Sequence, residues 1–265
     1  MNMKGVFAMS LITRRQFATI MGLATLEGVQ QEVLGQSTHA PVAPQTKAPA
    51  KGHSDVIVDR SIATPEQIWA DLMQGNKRFT SGKTLSRDFA QARAKTATSQ
   101  HPYVAMLCCA DSRLSPELIF DQTLGDLFVV RTAGNVADEI ALASLEYAVE
   151  HLHTRMLVVM GHEKCGAVAA TLSGEEMPTE NLAALVRKIR PGIERLKGLV
   201  KGETLMNLAV EANVHHSASC VVEESPIIRR EVASGKLTIV KAVYKLGTGE
   251  VMHISGVKET AAAGR

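Results

Sequence analysis

The sequence predicts an α/β fold in which a mostly parallel central β-sheet is flanked by helices, with a helical arm before the first strand. Two observations support this prediction. Short apolar runs of strand length alternate with longer segments of helical periodicity, which is the order that parallel β-α-β units produce. Two of the three short apolar runs end directly in clusters of Cys, His and Asp residues, and sites in such sheets form where strands hand over to loops at their carboxyl ends.

The composition is that of a globular protein and argues against several functional classes. Of the 265 residues, 45% are hydrophobic, and 29 Lys and Arg stand against 27 Asp and Glu. Residues 1–50 hold four of the cations and two of the anions, so residues 51–265 hold 25 of each sign. A body without net charge gives no support for nucleic-acid binding. Four cysteines are too few for a disulfide scaffold, and no apolar run approaches the roughly 18 residues of a membrane span.

The first 50 residues are predicted to be an export signal and linker. Arg14-Arg15 is followed by Phe17 and by a mildly apolar stretch over residues 18–26, which resembles a twin-arginine export signal. Residues 37–50 are rich in Pro, Ala and Thr, as linkers are. The protein is therefore expected to be exported to the periplasm, with residues 51–265 forming a single α/β domain. The alternative is a flexible tail that contains an Arg pair by chance.

The body begins with a predicted helix and a buried strand. Thr64-Pro65-Glu66 supplies a hydroxyl N-cap, a proline at the first helical position and an acid in the first turn. Apolar residues then recur at helical spacing as far as Phe79. Residues 103–108 form a short apolar run after His101-Pro102, which predicts the first buried strand.

The same reasoning predicts the remaining elements in order. Buried strands are predicted at residues 127–130 and 156–160, with a helix over 140–152 between them. The segments that follow are a helix at 165–172, a helix at 181–200 interrupted at Pro191-Gly192, helices over 205–234 with a new start at Pro226, a strand at 237–244, a turn at 247–249 and an edge strand at 250–254.

Two clusters of metal-binding residue types follow predicted strands. The first is Cys109-Ala110-Asp111-Ser112-Arg113, and the second is His162-Glu163-Lys164-Cys165-Gly166. Two thiolates, one imidazole and one carboxylate are the donor set of a tetrahedral zinc site. His162 and Cys165 are spaced so that one turn at a helix start can hold both, and Gly166 lets the backbone come close there.

Asp111 leaves two kinds of site open. If its carboxylate is the fourth ligand, four protein groups close the zinc site. If Asp111 pairs with Arg113 instead, the fourth position is left to water, and the site is of the catalytic kind.

The order of these motifs resembles the β-class carbonic anhydrases. Cys-Ala-Asp-Ser-Arg at 109–113 is followed about fifty residues later by His-x-x-Cys at 162–165, and the resemblance extends over about residues 64–257. Further segments that resemble the family are residues 72–79, 131–135, 144–149 and 225–228, and residues 242–244 with 248–249.

The resemblance implies a fold like that of the β-carbonic anhydrases and a role for each matching residue. Cys109, His162 and Cys165 would bind one Zn²⁺ per chain. Asp111 would be the exchangeable fourth ligand and the partner of Arg113. Three further positions would form the substrate site: Gln100 orients CO2 or bicarbonate, and Phe128 and Tyr147 line an apolar pocket. Gly166 would be a backbone contact beside the metal.

The family's minimal unit is a dimer, and Gln100, Phe128 and Tyr147 match positions near its shared interface. The chain is therefore expected to form a homodimer or a larger homo-oligomer, without nucleic-acid or stable membrane partners. The implied reaction is reversible hydration of CO2 to bicarbonate and a proton by hydroxide on zinc. Two alternatives are hydrolysis of a CO2 analogue, such as carbonyl sulfide or carbon disulfide, and zinc binding without catalysis.

Overall fold

A five-stranded sheet forms the centre of the described part of the chain. The computed structural model describes residues 63–196, 198–199 and 201–254, so the predicted export signal and linker lie outside the described residues. The strands are β1 (Val104–Cys109), β2 (Leu127–Thr132), β3 (Met156–His162), β4 (Thr238–Tyr244) and β5 (Val251–His253). Their order is β2-β1-β3-β4-β5. The first four are parallel, and β5 is antiparallel to β4. The predicted α/β fold with a mostly parallel sheet is confirmed.

Helices connect the strands and cover the sheet. They are α1 (Pro65–Thr80), α2 (Phe89–Thr96), α3 (Pro116–Ile119), α4 (Glu139–Glu150), α5 (Gly166–Ser173), α6 (Glu180–Ile193), α7 (Gly202–Glu224) and α8 (Pro226–Ala233). Short 3-10 turns span Ala133–Asn135 and Glu194–Leu196. Helix α7 packs on β3 and β4, whereas α4 packs on β1 and β2. None of the helices within the described part of the chain is long and apolar enough to cross a membrane.

The predicted start of α1 is confirmed by its capping geometry. Thr64 Oγ1 accepts a hydrogen bond from the Gln67 backbone N–H at 3.3 Å, and Gln67 Oε1 accepts one from the Thr64 N–H at 2.8 Å. This reciprocal pair satisfies two of the amide donors that every helix start leaves free. Further along α1, buried Asn76 donates to the carbonyls of Ile119 and Gly249 and accepts from the Val251 N–H. The helical arm is thereby tied to the turn between β4 and β5.

Two expectations about the elements were wrong. Strand β2 was expected to be buried, but five of its six residues are half-buried and Arg131 is exposed, because β2 lies at the edge of the sheet.

The helix expected to break at Pro191-Gly192 continues through both residues to Ile193. Proline there removes one backbone hydrogen bond close to the helix end. Gly192 allows a close approach to α7, since a Cβ at this position would lie 2.6 Å from the Cβ of His216.

Candidate metal centre

Two adjacent central strands carry the metal-binding residue types to one edge of the sheet. Cys109 is the last residue of β1, and His162 is the last residue of β3. The two strands are parallel neighbours, with Cys108 opposite Met160, so their carboxyl ends lie side by side. Cys165 follows three residues after His162, as the N-cap residue of α5. Parallel pairing thus brings together residues that are more than fifty positions apart in the sequence.

The three side chains form a compact, buried donor set. The sulfur atoms of Cys109 and Cys165 and a ring nitrogen of His162 all lie within 4.8 Å of one another. The residues are 5%, 2% and 0% exposed, respectively. Among the residues described, this is the one group of three or more Cys, His, Asp or Glu side chains close enough to share a metal ion.

The orientation of His162 fits a metal ligand. Its Nδ1 lies 2.8 Å from the Glu163 carbonyl oxygen. A carbonyl can only accept, so Nδ1 carries the proton and Nε2 keeps its lone pair. Nε2 is buried and has no hydrogen-bond partner in the described part of the chain. Burying such a nitrogen without a partner is costly, and coordination to a metal ion removes that cost. The residues present therefore fit one Zn²⁺.

Cys109 is held in the form that binds metals. The neighbouring Cys165 thiol donates toward the Cys109 sulfur, and the backbone N–H groups of Asp111 and Gly134 point at it. The Gly134 nitrogen lies 3.2 Å from Sγ. These donors keep the pKa of Cys109 well below its ordinary value, which favours the thiolate. The neighbouring Cys108 differs, because burial raises its pKa to about 12 and keeps it a neutral core thiol.

Gly134 reaches the sulfur through a left-handed backbone conformation. Its φ is +64°, a value that glycine adopts without steric cost. A Cβ at this position would also lie 2.7 Å from Ile189 Cδ1 and 3.0 Å from Ala167 Cβ. The sequence shows this glycine just after a predicted strand, but its hydrogen bond to Cys109 was not predicted.

Asp111 is paired with Arg113 beside the cluster. Arg113 Nε lies 2.8 Å from Oδ1 and Nη2 lies 2.7 Å from Oδ2, and the Arg113 backbone N–H also donates to Oδ1. The Arg113 guanidinium holds the pKa of the Asp111 carboxyl well below its usual range. Asp111 Oδ2 is 3.8 Å from His162 Nε2. Of the two arrangements that the sequence left open, the structure has the carboxylate on Arg113, within reach of the cluster.

Arg131 is a further residue at this site, to which the sequence analysis gave no role although it opens the segment 131–135 that resembles the family. It lies on β2, opposite Cys108 on β1. Its Nε donates to the Cys109 carbonyl at 3.2 Å, and its Nη2 donates to the Asp111 carbonyl at 2.6 Å. The loop that carries Asp111 is therefore fastened to the neighbouring strand. The detectable signal was an arginine at the end of an otherwise apolar strand.

Gly166 lies where the sequence predicts it, directly after Cys165 and at the start of α5. Apart from its chain neighbours and the backbone of its own helix, none of the described residues has an atom within 4 Å of the position that a Cβ would occupy there. The backbone beside Cys165 is therefore open and accessible.

The three predicted substrate residues do not lie at the metal centre of their own chain. Phe128 pairs with Ala105, four residues before Cys109, which corresponds to about 13 Å along the strand. The Tyr147 ring lies 6.1 Å from that of Phe128 and is 45% exposed as a residue. Gln100 is exposed and precedes the start of β1 by four residues. Their roles remain predictions.

Comparisons with known proteins agree on one family. The sequence model of the family described as "Carbonic anhydrase" matches residues 104–251. Carbonic anhydrase 2 of Mycobacterium tuberculosis is 36% identical over 202 residues, which cover 74% of this chain and 97% of that protein. A carbonic anhydrase of Mycolicibacterium smegmatis is 37% identical over 204 residues, covering 74% of this chain and 98% of that protein.

Solved structures show the same likeness. The β-carbonic anhydrase of Coccomyxa, in complex with acetazolamide, has a TM-score of 0.56 and 29% identity, covering 71% of this chain and 82% of that one. The β-carbonic anhydrase CcaA has a TM-score of 0.57 and 25% identity, covering 72% of this chain and 93% of that one.

The donor set predicts a specific effect of cysteine substitution on metal content. Cys165→Ala should abolish retention of zinc after dialysis against a chelator, because two remaining protein ligands are too few for a stable site. Cys220→Ala is the matched control, since Cys220 is a half-buried thiol on α7 outside the cluster. Elemental analysis of zinc per chain measures both variants. Equal zinc content in the two variants would contradict the assignment.

Proposed function

The chain belongs to the carbonic anhydrase family and is an enzyme, a lyase of the β class. From this premise we propose the following reaction and mechanism. It catalyses the reversible hydration of CO2 to bicarbonate and a proton, with one Zn²⁺ held by Cys109, His162 and Cys165. The observation that supports this most directly is the convergence of these three buried side chains within 4.8 Å. When bound, zinc lowers the pKa of a coordinated water to about 7, which supplies a nucleophile near neutral pH.

Asp111 and Arg113 keep the site in its catalytic form. Arg113 binds both carboxylate oxygens of Asp111, so the carboxylate stays ionised and is engaged by the guanidinium beside the ligand cluster. Three protein ligands then leave the fourth position available for water. Oδ2 lies only 3.8 Å from His162 Nε2. With zinc bound, the carboxylate would be placed to accept a hydrogen bond from a water beside the three ligands, and orienting that water would favour its reaction with CO2.

The substrate pocket is completed by a second copy of the chain. Gln100, Phe128 and Tyr147 do not lie at their own metal centre. Phe128 and Tyr147 contact each other at the sheet edge formed by β2, and Gln100 is exposed just before β1. Exposed apolar residues on α4, among them Ile140 at 73% exposure, continue this surface. An apolar strand with a free edge is a surface that proteins ordinarily cover. In a homodimer, the Gln100 amide of one chain orients the substrate oxygens, while Phe128 and Tyr147 provide the apolar surface for CO2.

The pairing of Asp111 with Arg113 generates a prediction that separates metal binding from turnover. Arg113→Ala should retain zinc but lose about 10- to 100-fold in CO2 hydration, because the freed carboxylate can approach the cluster as a fourth ligand. The control is Arg187→Ala, since Arg187 has the same side-chain exposure of 57% and pairs with Glu180 on α6. Stopped-flow hydration and zinc content are measured on each variant. Unchanged turnover in zinc-loaded Arg113→Ala would refute the role.

The protein is further proposed to be exported to the periplasm by the twin-arginine route. The support is the sequence around Arg14 and Arg15 and the chemistry of the site. Reduced cysteine ligands are vulnerable in an oxidising compartment, and folding with zinc bound before export protects them.

Replacing the arginine pair tests the export route. Arg14→Lys combined with Arg15→Lys should leave the precursor in the cytoplasm, and both residues precede the predicted domain of residues 51–265. Fractionation followed by immunoblotting measures the distribution, with Lys4→Arg as a charge-preserving control in the same segment. Periplasmic protein at the level of the unsubstituted chain would refute this route.

A further inference from the structure

We propose that Asn213, on helix α7, is a positioning residue of the metal centre that holds the Gly134 backbone with its N–H on the Cys109 sulfur. Asn213 is 79 positions away from Gly134 in the sequence, and its side-chain amide bonds to Gly134 and Asn135 rather than to the proposed zinc ligands. The inference rests on the proposed zinc site and adds a residue that controls the geometry of one thiolate.

Gly134 lies between the sulfur and Asn213. Its N–H donates to Cys109 Sγ at 3.2 Å, and its carbonyl oxygen accepts a hydrogen bond from Asn213 Nδ2 at 2.8 Å. The residue has φ +64° and ψ +25°. Because glycine reaches many backbone conformations, something outside the turn must select this one. The bond from Asn213 fixes the peptide plane that follows Gly134. This restrains the backbone torsions at the Gly134 Cα and so narrows the directions open to its N–H, which lies in the preceding peptide plane.

Close packing of helix α7 on strand β3 fixes the position from which Asn213 donates to Gly134. Gly161 precedes His162 on β3, and a Cβ at Gly161 would lie 2.6 Å from Val214 Cγ2. Because glycine has no side chain, α7 packs directly on the strand that carries the proposed metal ligand His162. Asn213, adjacent to Val214, is 1% exposed.

A buried polar network extends from the same turn to α7. Asn213 Nδ2 also lies 3.5 Å from Asn135 Oδ1, and Asn135 Nδ2 donates to Ser217 Oγ at 3.2 Å. Asn213 Oδ1 has no hydrogen-bond partner among the described residues. A buried amide that leaves its oxygen unpaired costs free energy. An apolar side chain of similar size would fill this buried position without that cost. The role of Asn213 therefore lies in its Nδ2 group, which donates to the Gly134 carbonyl and faces Asn135 Oδ1.

Outer hydrogen bonds of this kind orient metal ligands, and their loss typically costs 10- to 100-fold in metal affinity or activity. An N–H donor on a thiolate also withdraws electron density from the sulfur. Loss of that donor should move a sulfur-to-metal charge-transfer band to longer wavelength. This band reports on the sulfur itself, so it separates positioning from a general effect on folding.

The test uses the full chain with Asn213→Leu, which keeps similar volume without a donor, and Asn213→Ala as a second variant. Ser217→Ala is the control, because it removes the far end of the network and keeps the bond to the Gly134 carbonyl. Zinc affinity is measured by competition with a chromophoric chelator, and the charge-transfer band is measured on Co²⁺-loaded protein. We expect about tenfold weaker zinc binding or more, with a band at longer wavelength, in the Asn213 variants and neither change in Ser217→Ala.

Unchanged affinity and an unchanged band in a folded Asn213 variant would overturn the proposal. Equal changes in Ser217→Ala would overturn it too, since they would assign the effect to the network as a whole. Zinc binding by the unsubstituted chain distinguishes failure of the proposed function from failure of the positioning role alone. If it binds no zinc, the proposed function fails; if it binds zinc and the Asn213 variants match it, only the positioning role fails.

Discussion

The approach of two sulfur atoms and an imidazole nitrogen to within 4.8 Å, out of contact with water, is the constraint on which the rest of the molecule depends. Two thiolates this close repel each other strongly in a medium of low dielectric constant. A divalent cation bound between the two sulfur atoms would attract both thiolates and outweigh their mutual repulsion, so the cluster would become a stable site. The surrounding structure supplies what the cluster needs: Arg131 fastens the loop after β1, and the Glu163 carbonyl orients His162.

Adjacent cysteines show how the sheet separates a chemical role from a packing role. Side chains alternate along a strand, so Cys108 faces the core while Cys109 faces the cluster. Burial raises the pKa of Cys108, whereas hydrogen-bond donors lower that of Cys109. Hydrogen bonding also sets the charge of Asp111, because Arg113 lowers the pKa of its carboxyl group and keeps it ionised at the edge of the site. The proposed zinc site uses both features, namely a thiolate ligand and a carboxylate that is engaged by an arginine.

Local sequence was sufficient to predict the sheet and the three proposed zinc ligands. Apolar runs identified the strands, and the motifs that end β1 and β3 identified Cys109, His162 and Cys165, which parallel pairing then brings together. The edge position of β2 could not be predicted, because a run such as Leu127–Val130 is equally apolar in a central strand. The hydrogen bonds of Gly134 and Asn213 were missed for a different reason. They join residues 25 and 79 positions apart, and no periodicity in the sequence records such contacts.

The most direct measurement is CO2 hydration by stopped flow, on protein with graded zinc content, between about pH 6.5 and about pH 9. Hydration should rise in proportion to zinc, up to one ion per chain, and should increase with pH as the coordinated water ionises near pH 7. Hydration of equal rate in zinc-free protein would contradict the proposed mechanism. So would a chain that binds one zinc and hydrates no CO2 at any pH.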